Sequence, residues 1–299
     1  MKIQTVTKEF LRPLLGPRKK NTHKSDYGRL LIVAGSKGMT GAAAIAAKAA
    51  LRAGAGLVTL ACPDSEQPLL AAGLREVMTF PASSRDGAFS LRAAAEILDW
   101  QKEKKYDLLL IGPGLSLKGQ VPDFVIKLIQ KSEMPAVIDA DALNVLGLAG
   151  ALDLLKKGRP KIITPHEGEA ARLLGGAVEK RPVAALKLAE LSGSVVVLKG
   201  RETLVALGAR LMKNITGGPA LAKGGSGDAL AGLMAGFFAQ RGIGKGFTAN
   251  TAFESAALGV YLHGLCGDLA ARKLTERCVL ASELTDFLPE AIKVVKNEK

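Results

Sequence analysis

Cysteine is scarce in this chain. There are three, Cys62, Cys266 and Cys278. They form an odd set without metal-ligand spacing, so neither a disulfide framework nor a zinc cluster is expected, and a reducing, cytoplasmic setting is the simple reading. Histidine is equally scarce: His23, His166 and His263 lie far apart in sequence, which argues against zinc again. Aromatic residues make up only 4% of the 299 residues. The basic clusters at Arg18 to Lys20, Lys102 to Lys105, Lys156 to Arg159 and the C-terminal tail contain no interleaved aromatics. A formal charge of +13 therefore lacks the stacking platform of a nucleic-acid surface and fits a protein that handles small phosphorylated anions. No run reaches the ~18 consecutive apolar residues of a membrane span. The opening MKIQTVTKEF has no apolar signal core. Neither nucleic acid nor membrane is expected as a partner.

Several catalytic signatures are missing too. GxxxxGK[ST] does not occur, so there is no Walker A loop. No serine or cysteine sits in a nucleophile elbow. GSKGMTG (35–41) has GxxGxxG spacing rather than the dinucleotide fingerprint, and the nearest acid beyond the next strand, Asp64, comes too late for it.

What is present is a regular alternation. Short aliphatic runs recur at 29–35, 56–62, 106–112, 135–141, 160–165 and 194–200. Most are continuous rather than alternating, which marks strands buried on both faces of a parallel sheet. Helical patterns fill the gaps at 41–53, 89–100, 121–131, 167–174 and 181–191. An α/β layered fold with right-handed crossovers follows. After residue 200, 203–208 and 209–216 read as an antiparallel pair, and 226–240, 248–271 and 280–294 as helices. The first ~25 residues read as an arm or first helix that packs late. With no linker or internal repeat, 1–299 is expected to be one domain.

In open α/β sheets, ligands bind at the loops after the strands, and those loops hold the unusual residues: GSKGMTGA, GPGLS, DADALN, TPHEGE and KGRET. GGSGD (224–228) precedes an apolar helix. Its glycines, with Ser226, can turn backbone N–H groups inward at a helix start that carries partial positive charge, forming an anion hole. Asp228 could be a simple N-cap, but Ser226 is a good cap two residues earlier. A spare acid beside an anion hole points to a base acting near a transferring phosphoryl group. Gly114 in GPG leaves room for a flat ring at a pocket floor. His166, Glu167 and Glu169 gather at a strand-to-helix boundary, where acids are often dipole partners; Glu169 suits magnesium held through water. Lys199 sits at a strand end, placed for a nucleotide phosphate or as a solvated turn lysine.

The runs 21–61, IGPGL (111–115), VIDADALN (137–144), ITPHEGEAARLLG (163–175), VVLKGRETLVA (196–206), GGSGDALAG (224–232) and AALGVYLHGLCGDLAA (256–271), in this order, resemble the ADP-dependent NAD(P)H-hydrate dehydratase family. That family belongs to the ribokinase-like superfamily. The likeness spans nearly the whole chain after residue 20. It implies a three-layer ribokinase-like fold, with a mainly parallel central sheet flanked by helices. It also implies a hydro-lyase that restores NADH hydrate and NADPH hydrate to the active donors by phosphorylating the ring hydroxyl and eliminating phosphate. ADP, or ATP, would be the co-substrate and Mg2+ the cofactor.

The resemblance further implies residue roles. Asp228 is the base and contacts the substrate. Gly224, Gly225, Ser226 and Gly227 stabilise the moving phosphoryl group. Lys199, Gly200, Arg201, Glu202 and Thr203, with Gly227, contact the nucleotide. Ala42, Gly114 and His166 contact the hydrated dinucleotide. Glu169 stands at the acid of an NxxE magnesium motif, with His166 in the asparagine position. The family is often tetrameric, so a homotetramer is expected, and any epimerase of the pathway is expected on a separate protein, since the chain has no room for one.

The chain departs from the family pattern at Ser25, at Glu167, which is an extra acid, and at Gly218 and Lys223, which replace an asparagine and a threonine. Lys223 would put a positive charge beside the anion hole. The alternative reading is a kinase of the same fold that phosphorylates a hydroxymethyl group of a small vitamin precursor, using Asp228 identically.

Overall fold

The structure is a computed structural model that describes residues 3–298. In chain order its elements are β1 (Gln4–Thr5), α1 (Lys8–Leu11), β2 (Arg29–Val33), α2 (Thr40–Arg52), β3 (Leu57–Pro63), α3 (Gln67–Gly73), β4 (Met78–Ala82), β5 (Ser84–Arg85), β6 (Ala88–Phe89) and α4 (Leu91–Lys104). There follow β7 (Leu108–Ile111), α5 (Val121–Lys131), β8 (Ala136–Ile138), α6 (Ala140–Leu148), β9 (Lys161–Ile163), α7 (Glu167–Leu174), α8 (Arg181–Ser192) and β10 (Val195–Leu198). The chain closes with β11 (Leu204–Leu207), β12 (Arg210–Lys213), α9 (Ser226–Lys245), α10 (Ala249–Leu274) and α11 (Leu288–Lys296).

One ten-stranded sheet runs β1-β12-β11-β10-β9-β8-β7-β2-β3-β4. Every pairing is parallel except the two made by β11, the reversed strand of the set. The continuous apolar runs are explained by what covers the two faces. Leu30 and Ile32 of β2 face a core built with α2, α9, α10 and α11, whereas Leu31 and Val33 face a second core built with α4 to α8. Leu108 and Leu110 of β7 divide from Leu109 and Ile111 in the same way. A strand with helices on both sides has no polar face to show. The layers are helix, sheet, helix, as expected for the ribokinase-like class.

Alanine takes the place of aromatics in one of these layers. Helix α9 lies against α2, and Cβ atoms at Gly232 and Gly236 would sit on the carbonyl oxygens of Ala46 and Ala50; the Gly232 position is also 2.8 Å from the Ala49 Cβ. The two backbones approach so closely that only glycine fits. Gly232→Val is therefore expected to cost about 3 kcal/mol, because a backbone carbonyl cannot rotate away. Gly244 in the same helix meets nothing within 4 Å, so Gly244→Ala should stabilise by roughly 0.5–1 kcal/mol. Denaturant midpoints of the two variants check both signs.

The sheet also fixes where ligands can bind. From β2 the chain winds outward through β3 and β4, then returns to the other side of β2 as β7 and winds the opposite way through β8, β9 and β10. The reversal opens a crevice at the carboxyl ends of β2 and β7. Helix α9 packs against β2, β7 and β8, which brings Asp228 to that crevice.

Some expectations need correction. The N-terminal segment is neither a loose arm nor one helix: β1 pairs with β12, and Val6 and Leu11 are buried. The last helix begins at Leu288 rather than 280, after a tight turn over Leu284–Phe287. The edge strand β4, with Pro81 in it, and the β5–β6 hairpin gave too few residues for a periodic signal. Among the described residues, no helix is long and apolar enough to cross a membrane.

Candidate active site

Asp228 is the third residue of α9, not its cap. The cap is Gly225, held at φ +90, and no side chain closes the helix start. Ser226 is not a cap either. It is the first helical residue, its N–H donates to the Lys223 carbonyl at 3.2 Å, and its hydroxyl lies 3.3 Å from His263 Nε2. That leaves the N–H groups of Gly227 and Asp228 without intrahelical acceptors. Burial pushes the Asp228 carboxyl up to about 6, Asp139 and Asp141 push in the same direction, and Lys199 pulls against them. The acid is thus poised to accept a proton near neutrality.

Behind it lies a compact charge cluster. Lys199 Nζ donates to Asp139 Oδ1 at 2.8 Å and stands 3.6 Å from Glu169 Oε2. Thr164 Oγ1 donates to Asp139 Oδ1 at 2.5 Å. Asp139 is 1% and Glu169 3% exposed. Burial alone would depress the Lys199 ammonium, but Asp139 and Glu169 hold it above its ordinary value. Burial raises Glu169 against the pull of Lys199. Lys199 is therefore no solvated turn lysine. Gly112, at φ +133, lets the end of β7 touch the Asp139 backbone, which seats this acid at the crevice.

His166 and Glu169 form a capping box at the start of α7. Gly168 N–H donates to His166 Nδ1 at 3.0 Å, and His166 N–H donates to Glu169 Oε2 at 2.8 Å. Among the described residues, no group of three or more His, Cys, Asp or Glu side chains is placed to hold a metal. A magnesium ion fits here only in its usual manner, through water and substrate phosphates rather than a protein cage. The excess of carboxylates over lysine around Asp228 favours such a cation, and Glu169 would hold it through water.

A pocket of about 880 Å3 opens beside α9, within the range of small-molecule sites. Its walls are the Lys199–Thr203 turn, the loop from Asn214 to Lys223, Ser226 and Gly227, and a face of α10. His166 lies on this wall, although the substrate side was expected for it. Gly224 and Gly225 do not. A Cβ at Gly225 would meet Ile45 and Ala281 at 2.8 and 2.9 Å, so this glycine serves the helix start rather than a ligand.

Arg181, at the start of α8, braces the 199–201 turn. Its guanidinium donates to the carbonyls of Leu198 and Lys199, each at 3.3 Å, and to that of Arg201. Its Nε pairs with Glu167 Oε1 at 3.0 Å, which gives the extra acid of PHEGE a structural purpose. Thr203 Oγ1 donates to the Gly200 carbonyl at 2.9 Å, and Glu202, at φ +54, pairs with Lys213.

The HGLCGD run turns out to be a seat for the opposite wall. Residues 263, 264, 267 and 268 share one helical face. His263 meets Ser226, Gly264 packs on Thr216, Gly267 packs on Leu221, and Asp268 Oδ2 accepts from the Gly217 N–H at 3.0 Å. Burial drops the His263 imidazole to about 4, so it is neutral at pH 7. Lys223 does not aim at the anion hole. Its Nζ donates to the Arg277 carbonyl at 2.5 Å and ties this wall to the following loop.

Ala42 and Gly114 meet each other, and neither lines this pocket. A Cβ on Gly114 would lie 3.1 Å from the Ala42 Cβ and 2.7 Å from the Met39 carbonyl. Gly114 is thus buried under α2 and leaves no room for a ring in that direction. Reading the sequence missed Asp139, Asp141, Arg181 and His263. The first two stand in DADALN and the last in HGLCGD, both visible as motifs, but Arg181 carried no signal.

A sequence profile of the NAD(P)H-hydrate dehydratase family matches residues 30–290. The chain belongs to this family. It is 42% identical to the bifunctional NAD(P)H-hydrate repair enzyme of Moorella thermoacetica, over 98% of this chain and 54% of that protein. It is 34% identical to the ADP-dependent (S)-NAD(P)H-hydrate dehydratase of Bacillus subtilis, over 98% of this chain and 99% of that one. The chain spans about half the length of the bifunctional relatives it matches. Among solved structures, it aligns with the ADP/ATP-dependent NAD(P)H-hydrate dehydratase of Bacillus subtilis co-crystallised with ATP and Mg2+, at TM-score 0.80 and 32% identity over 99% of each chain.

Proposed function

We propose that the chain dehydrates hydrated NADH and NADPH back to the active donors, converting ADP, or ATP in its place, to the nucleotide one phosphate shorter. The observation that carries this is Asp228: a carboxylate raised to about 6, set at the start of α9 beside N–H groups that have no intrahelical acceptor. Asp228 takes the proton of the ring hydroxyl as that oxygen attacks the terminal phosphorus of the nucleotide. The bridging bond breaks and AMP leaves. The Gly227 and Asp228 N–H groups meet the charge on the transferring phosphoryl. The ring nitrogen then pushes out phosphate, the neighbouring carbon gives its proton to the departing phosphate, and the double bond returns. A bound magnesium ion would offset phosphate charge, with Glu169 positioned to hold it through water.

The ADP adenosine and α-phosphate are assigned to the pocket walled by the turn residues Gly200 to Thr203 and the 214–223 loop. Lys199 acts as a buried counter-charge rather than a reaching hand. Replacing Arg181 with alanine frees the 199–201 turn, so KM for ADP is expected to rise about fivefold with kcat little changed; steady-state kinetics with ADP varied reads this. A homotetramer and an epimerase on a separate chain complete the proposal, and a mass measurement in solution tests the first. The activity itself is tested by incubating the protein with hydrated NADH and ADP and following the reduced-nicotinamide absorbance. No recovery with either ADP or ATP overturns it, and a stable phosphate ester on a hydroxymethyl substrate would establish the kinase instead.

A further inference from the structure

The HGLCGD run holds a titratable group that the proposed chemistry does not use. His263 Nε2 lies 3.3 Å from Ser226 Oγ, and both residues line the pocket assigned to ADP. Ser226 opens α9, next to the Gly227 and Asp228 N–H groups that have no intrahelical acceptor. Ser226 is 7% and His263 6% exposed, so the protein rather than bulk water directs the hydroxyl proton. We propose that His263 is a positioning residue: its Nε2–H donates to Ser226 Oγ and turns the Ser226 hydroxyl proton toward a phosphate of the nucleotide.

The direction follows from what each partner can do. A neutral imidazole donates at one ring nitrogen and accepts at the other, and a hydroxyl donates once and also accepts. An ionised phosphate oxygen only accepts. A serine hydroxyl that meets phosphate must therefore give it the proton. Its oxygen is then the acceptor toward the ring, and Nε2 has to carry the ring proton. The opposite tautomer would draw the hydroxyl proton onto Nε2 and face phosphate with lone pairs. Burial, helped by the charge of Lys199 and opposed by the contact with Ser226, drops the imidazole to about 4. The ring is therefore neutral near pH 7, and its tautomer decides which way the hydroxyl points.

The ring is held where this works. One turn before His263, a Cβ at Gly259 would run into the Met234 side chain of α9, and a Cβ at Gly264 would run into Thr216. Helix α10 is thus pressed against α9 on one side and against the pocket loop on the other. Further along the same face, Asp268 Oδ2 accepts from the Gly217 N–H at 3.0 Å. An apolar side chain would fill the seat of His263 as well. What imidazole adds there is an N–H at a fixed point beside the first turn of α9.

The inference rests on the proposed function, and its test keeps the two apart. Heteronuclear NMR of the ring nitrogens reads the tautomer in protein saturated with ADP, with His263 assigned by its loss in His263→Gln. A protonated Nε2 and a bare Nδ1 are expected, and the reverse overturns the inference. Calorimetry gives the Kd for ADP without turnover. Ser226→Ala is expected to weaken ADP binding about tenfold. His263→Leu should weaken it about fivefold, since the hydroxyl remains but is no longer turned. The double variant should lose no more than Ser226→Ala alone. His263→Gln, whose amide can donate to Oγ, should bind ADP within about threefold of wild type, which a space-filling role would not favour over leucine. Losses that multiply in the double variant, or a leucine variant that binds ADP as wild type does, overturn the inference and leave an active enzyme's function standing. If His263→Leu fails to fold, the wild-type tautomer still decides. A wild type that binds ADP but restores no hydrated NADH overturns the function, and the tautomer and the binding cycle still decide the inference.

Discussion

Asp228→Asn is expected to lower kcat by about three orders of magnitude while ADP binds as well as before or better. Asparagine keeps the shape of the helix start and its free N–H groups. It is too weakly basic to take the hydroxyl proton in the role proposed for Asp228, and it carries no negative charge to repel phosphate. The wild-type pH profile supplies an independent check. A base raised to about 6 is charged above that pH and protonated below it. kcat/KM should therefore be level near neutrality and fall toward tenfold per unit below about 6. Asp228→Asn should show no such limb. Retention of more than a tenth of the activity, or an acid limb unchanged in the variant, removes Asp228 from the role of base.

The layers and the order of the site loops are legible in the sequence. Strands covered on both faces must be continuous in apolar residues, and crossover helices must separate them; both conditions are written into 29–35, 106–112 and 194–200. The position of Asp228 at a helix start was equally readable from GGSGD followed by an unbroken apolar run. What sequence could not reveal was which polar groups were already committed. Lys199 looks free in KGRET because nothing nearby in the chain pairs with it; its partners are Asp139 and Glu169, brought in by the end of β8 and the first turn of α7. Lys223 looked aimed at phosphate until its bond to the Arg277 carbonyl placed it elsewhere. Gly114 looked like space for a ring, whereas α2 covers it. In each case the missing information was a long-range contact, and no local period or propensity encodes one.

Lys199→Met is expected to destabilise the fold by about 3–5 kcal/mol at pH 7 to 8, read from denaturant midpoints, because it strands two buried carboxylates. The side chains of Asp139 and Glu169 are 1% and 4% exposed, and that of Lys199 is 18% exposed, so water cannot take over the lysine's part. The pH dependence has a definite sign. In the wild type the raised Lys199 contributes throughout the range below its unfolded value, and this contribution is lost only as pH rises through the folded one. In the variant, Glu169, already raised by burial, loses the charge that opposed the rise. The folded state then takes up protons before the unfolded state does, so the variant recovers stability on acidification and the gap to wild type narrows. Lys199→Met/Glu169→Gln should recover part of the loss at neutral pH by removing one stranded charge. The same lysine pulls Asp228 downward, so the acid limb of any activity the variant retains should move to higher pH. A variant as stable as wild type, with its limb unmoved, would mean that the cluster neither holds the crevice together nor sets the proton affinity of the base.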